Sequence, residues 1–73
     1  MKVYEIGVYN SFVRDTLRNG NKLPETNTIS FEFEDTLYFE RVAESEEHAR
    51  ERAGYEWPSS LHYVIEYVNK VRG

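Results

Sequence analysis

The stretch ISFEFEDTLYFE, residues 29–40, places Ile29, Phe31, Phe33, Leu37 and Phe39 on odd positions and Glu32, Glu34, Tyr38 and Glu40 on even ones. Alternation of period two is the signature of a strand with one face buried and one wet. Two geometries fit. A single strand over residues 29–43 carries Asp35 and Arg41 onto the apolar face, where an unpaired charge is costly. It would also be unusually long. A hairpin turning near Glu34-Asp35-Thr36 pairs Phe33 with Leu37 and Phe31 with Phe39 and keeps the apolar face intact. The residues favour the hairpin, or a strong bulge at the same place, although no glycine marks the turn.

Upstream, KVYEIGVY (residues 2–9) reads as a strand with Tyr4, Ile6 and Val8 on one face and Val3, Glu5 and Tyr9 on the other. Gly7 either weakens it or marks a close approach. Residues 11–19 follow with Val13 and Leu17, and Arg14 and Arg18, at helical spacing. Asn10 or Ser11 suits the N-cap, and Gly20 suits a left-handed C-terminal cap. The rival reading is a hairpin at Asn19-Gly20; capping and spacing favour a helix. Residues 20–28 are a loop.

Downstream, AESEEHARERAGYEWP begins a helix at Ser45. Its first turn is acidic, Glu46–Arg50 and Glu47–Arg50 are possible ion pairs, Ala49 and Ala53 form a small-residue stripe, and Pro58 stops it. Residues 61–71, LHYVIEYVNKV, form a strand apolar on both sides, which suits the centre of a sheet. The expected fold is α+β: one domain over residues 1–73, in the order β-α-β-β-α-β. A small, mostly antiparallel sheet of three or four strands carries one or two helices on one face.

A chain of 73 residues has little interior and commonly needs a disulfide, a metal or oligomerisation. Cysteine is absent, which removes disulfides, thiol nucleophiles and cysteine zinc sites. Six Tyr, four Phe and one Trp leave an aromatic core or self-association as the source of stability. No run of apolar residues is long enough for a membrane helix and no signal-peptide pattern opens the chain, so a cytoplasmic protein is expected. Net charge is −4, but Glu25–Glu56 holds ten acids against three bases. That acidic middle argues against direct nucleic-acid binding and favours a basic or nucleic-acid-binding protein as partner.

Neither His48 nor His62 sits in a catalytic or metal pattern, and no phosphate-loop, dinucleotide or nucleophile-elbow motif occurs. The expectation is therefore a non-enzyme with no cofactor and no metal. Glu32, Glu34, Tyr38 and Glu40 are the candidate protein-binding residues, since carboxylates two apart on a strand repeat at about 6.8 Å and offer an acidic row to a basic groove. The plainer reading of that row is the wet side of a strand, whose charges also discourage edge pairing. Arg14, Arg18 and Lys22 are the candidate anion-binding residues, set against a plain solvated helix face.

The segment Val42, Ala43, Ser45, Glu46, Glu47, Ala49, Arg50 and Ala53, followed by the strand Leu61 to Val68, resembles small accessory (early) proteins of tailed bacteriophages. It covers about half of the chain. The resemblance implies a small modulator or inhibitor of a host protein, acting in the host cytoplasm, and assigns no residue a role. A homo-oligomeric accessory protein is the alternative, and nucleic-acid binding through Arg14, Arg18 and Lys22 the third reading.

Overall fold

A computed structural model describes all 73 residues, Met1–Gly73. The class is α+β, with three antiparallel strands and two helices. Strand β1 (Lys2–Asn10) occupies the middle, flanked by β2 (Leu37–Ala43) and β3 (Tyr63–Arg72). Helix α1 (Ser11–Arg18) continues directly from β1, and α2 (Glu46–Glu56) links β2 to β3. No helix is long and apolar enough to cross a membrane.

Both helices have the ends their sequences call for. Asn10 Oδ1 accepts the Val13 N–H at 3.1 Å and starts α1. At the other end Gly20 takes φ +78°, and the Gly20 and Asn21 amides return to Leu17 O and Thr16 O. That is a Schellman closure, not a hairpin turn. Ser45 Oγ accepts the His48 N–H at 3.1 Å and starts α2. Arg50 Nε meets Glu46 at 3.2 Å, the favourable i, i+4 order.

The core lies between α2 and one sheet face. Tyr4, Ile6 and Val8 of β1 are buried there against Ala49, Ala53 and Trp57, with Ala43 closing one end. Alanine at both contact positions of α2 lets the helix approach the sheet closely. Phe33, Phe39, Tyr63, Ile65 and Val68 complete the packing from its margins. Phe39 lies 4.9 Å from the Trp57 ring, and Phe33 meets Tyr63 edge-on at 5.3 Å.

Two sequence expectations are corrected. The hairpin at Glu34-Asp35-Thr36 does not form: Phe31–Glu34 is a 3-10 turn, and the strand begins only at Leu37. Ser30 caps the turn, and the Phe33 and Asp35 amides bond to Ser30 O and Glu32 O. Phe33 is thereby turned inward while Phe31 is left 68 % exposed. The last strand is not central but an edge, and it begins at Tyr63 after a 3-10 turn over Ser59–Leu61. Its alternation is also broken. A register shift opposite Gly7/Val8 leaves Glu66 as an extra residue, so Ile65 pairs with Val8 while Tyr67 pairs with Gly7. Tyr67 therefore lies on the face opposite the core.

Candidate functional site

The two candidate sites read from the sequence turn out to be partly each other's partners. Arg18 lies 3.6 Å from Glu34 and 3.7 Å from Asp35. Arg14 donates from Nε to the Glu34 carbonyl at 2.9 Å and from Nη2 to Thr36 Oγ1 at 3.3 Å, and its guanidinium stacks 3.5 Å above the Tyr9 ring. Helix α1 thus holds the 3-10 turn by ion pairing and hydrogen bonding, while Arg14 is itself fixed by stacking on Tyr9 of β1. Arg14 and Arg18 do not form an open anion site, and Lys22 stands apart in the loop, exposed.

The acidic row is split for the same reason. Glu32 and Glu34 ride on the 3-10 turn, so the strand spacing that would align them with Glu40 is absent. Glu40 stays on β2, 3.2 Å from Arg72 of β3 across the sheet. Only Tyr38 and Glu40 of the four candidate residues share a strand face.

That face is the side of the sheet that α2 does not cover, and its centre is Gly7. A Cβ placed on Gly7 would lie 3.1 Å from Thr36 Cγ2, Tyr38 Cε1 and Tyr67 Cβ. The missing side chain lets Tyr38 and Tyr67 meet edge-on, with ring centroids 6.0 Å apart. Tyr38 remains 60 % exposed and Tyr67 38 %. Thr36 is fixed beside them by donating its hydroxyl to Glu66 at 2.7 Å. Register places Glu5 and Val3 next along β1, with Glu40 and Val42 beside them on β2. The result is a tyrosine pair bordered by the carboxylates of Glu5, Glu40 and Glu66. Of the residues on this face the sequence candidates include Tyr38 and Glu40 but not Tyr67, because the bulge at Glu66 reverses the face on which Tyr67 lies. Gly7 was the available signal: a glycine within a strand marks close approach.

A concavity of about 430 Å³ lies elsewhere, between β2 and α2, and is lined by Arg41, Val42, Arg52, Ala53, Tyr55 and Glu56. Arg41 falls on the core face by register, opposite Tyr4. It reaches the rim and forms a two-pronged pair with Glu56, with Nε 2.9 Å from Oε1 and Nη2 on Oε2. These hydrogen bonds hold Glu56 below the usual carboxylate range and raise Arg41, against the opposing effect of burial on each. The guanidinium also lies 5.2 Å from the Trp57 ring.

Neither histidine faces a catalytic partner. His48 Nδ1 accepts the Glu44 N–H at 3.1 Å, which closes the turn ahead of α2. His62 takes a left-handed conformation, φ 72°, and its ring lies 6.0 Å from Phe12. No three His, Cys, Asp or Glu side chains converge in a metal-holding arrangement. Comparison with protein-family models, with curated proteins and with solved structures found no match to this chain.

Proposed function

We propose that this chain is a non-catalytic protein-binding module whose contact surface is the uncovered sheet face around Tyr38 and Tyr67. The observation that supports the reading is that pair of half-exposed tyrosines over Gly7, bordered by Glu5, Glu40 and Glu66. Tyrosine joins a large apolar ring to a hydroxyl, and rigid aromatic anchors carry much of the energy of protein interfaces. With Glu40 already matched by Arg72, Glu5 and Glu66 supply the unmatched charge of the border, which favours a basic partner, such as a nucleic-acid-binding protein, over phosphate. A cytoplasmic, phage-type modulator of a host protein fits this surface chemistry.

The test compares capture of a basic protein partner by the wild type and two variants. Tyr38→Ala with Glu40→Lys abolishes capture, whereas Glu32→Lys with Glu34→Lys, on the 3-10 turn, leaves it intact. The opposite pattern would transfer the binding surface to the turn and end this reading.

A further inference from the structure

The two edges of the sheet are finished differently. On β2, Arg41 Nη1 donates to the Glu40 carbonyl at 2.8 Å, and Arg52 Nη1 donates to the Val42 carbonyl at 3.4 Å. These arginines occupy acceptors that an incoming strand would need. The outer edge of β3 has no such cover. From Val64 to Arg72 no side chain or loop amide bonds to its backbone. An uncovered strand edge is a template for pairing with another strand.

We propose that a second copy of this chain pairs antiparallel along β3, joining two three-stranded sheets into one of six strands. The charge order of β3 supports this occupant. Its acid, Glu66, precedes its bases, Lys70 and Arg72. Antiparallel self-pairing sets acid against base twice, whereas parallel pairing stacks like charges.

The backbone directions specify a register. The Glu40 and Val42 carbonyls point away from β1, so by alternation Phe39 and Arg41 bond to Ile6 and Tyr4. Glu5 and Gly7 then bond to Asn69 and Tyr67, and the backbone groups of Val68 and Lys70 point outward. A two-fold axis through Asn69 sets Val68 opposite Lys70 of the copy and Lys70 opposite Val68, so both outward residues exchange hydrogen bonds. Beyond these two pairs each strand carries an extra residue, Glu66 on one side of the axis and Val71 on the other, and the same two-fold brings the Glu66 end of one strand beside the Arg72 end of its copy.

The need for such a contact is physical. This chain has neither disulfide nor convergent metal ligands, and only ten of its residues are buried. Small domains without those supports commonly gain stability by association. A two-fold axis perpendicular to the sheet also keeps equivalent faces on the same side. The inference therefore goes beyond the binding face described above, which it would present twice.

Sedimentation equilibrium of the wild-type chain is expected to give twice the 8.7 kDa chain mass. Lys70→Pro deletes an outward N–H that the monomer does not use, and is expected to give the single-chain mass with an unchanged circular dichroism spectrum. Glu66→Arg sets like charges together at two symmetric positions and is expected to raise the dissociation constant roughly tenfold at low salt. This second variant decides the matter if the proline disturbs the fold. A wild-type chain that stays monomeric at millimolar concentration would overturn the proposal. So would a dimer that tolerates both Glu66→Arg and Lys70→Pro or, should the proline unfold the chain, one that tolerates Glu66→Arg alone. None of these outcomes depends on capture of a basic protein, so the two readings fail separately.

Discussion

Gly7 and Asn10, three residues apart on the central strand, carry opposite kinds of constraint. At Gly7 the constraint is space. Directly opposed residues normally hold their Cβ atoms about 4.5–5.5 Å apart, yet a Cβ on Gly7 would meet Tyr67 Cβ at 3.1 Å. Tyr38 and Thr36 can yield at their side-chain tips, but Tyr67 Cβ is fixed to the paired backbone. Gly7→Ala should therefore destabilise by about 1–2 kcal/mol in spite of alanine's smaller entropy loss on folding. Near-ultraviolet circular dichroism should show the tyrosine pair disturbed. At Asn10 the constraint is hydrogen bonding. Its fully buried amide accepts from Val13 N and donates to Leu61 O at 2.9 Å, tying the start of α1 to the turn before β3. Asn10→Ala removes the cap, leaving the buried Val13 N–H and the part-buried Leu61 carbonyl without their partner, a loss of about 1–3 kcal/mol by denaturant titration.

At the scale of elements, what the sequence revealed depended on whether the deciding partner was near in the chain. Helix α2 was legible because Ser45, Glu46, Arg50 and Pro58 act within the element itself. The segment Ile29–Thr36 was not. Its alternation of phenylalanine and glutamate suits a strand, but Arg18 binds Glu34 and Asp35, and Arg14 binds the Glu34 carbonyl, from a helix more than ten residues upstream. The argument that kept Arg41 off the core face failed similarly. Arg41 meets Glu56, fifteen residues away, and the charge is paired at the rim instead of buried alone. That pair has a pH consequence. Glu56 is held below the usual carboxylate range, so its contribution is present at neutral pH and lost as acid protonates it through that lowered value. Arg41 is raised, so its share is lost only at strongly alkaline pH. Both side chains are more than a third exposed, and solvent screening limits the effect to below about 1 kcal/mol. Glu56→Gln should lower the melting temperature at neutral pH by a few degrees, with the difference from wild type vanishing in acid.

At the scale of the whole molecule, the order β2-β1-β3 makes the first strand depend on the last. β1 pairs with β3 from Val3↔Arg72 to Asn10↔Tyr63, so nearly the full chain separates the partners. Ile6 and Val8 need Ile65 and Val68 to close their core, and Asn10 needs the Leu61 carbonyl. Pairing β1 with β2 alone would leave a two-stranded sheet under one helix, with the side chains of Tyr4, Ile6 and Val8 uncovered along one flank. A two-stranded hairpin is marginal in water, and α2 contributes mainly alanines and Trp57 to the contact. Removal of residues 63–73 should therefore abolish cooperative folding rather than merely lower stability. Thermal circular dichroism should show a gradual slope in place of a sigmoidal transition, and amide exchange should lose protection along β1 as well. If β1 kept protected amides in the shortened chain, β1, β2 and α2 would be a self-sufficient unit and β3 an accessory strand. In the intact chain the same long-range closure should make folding slower than that of a helical bundle of similar length. Asn10→Ala, which loosens the link to Leu61, should change the unfolding rate or the folding rate according to whether β3 docks late or early.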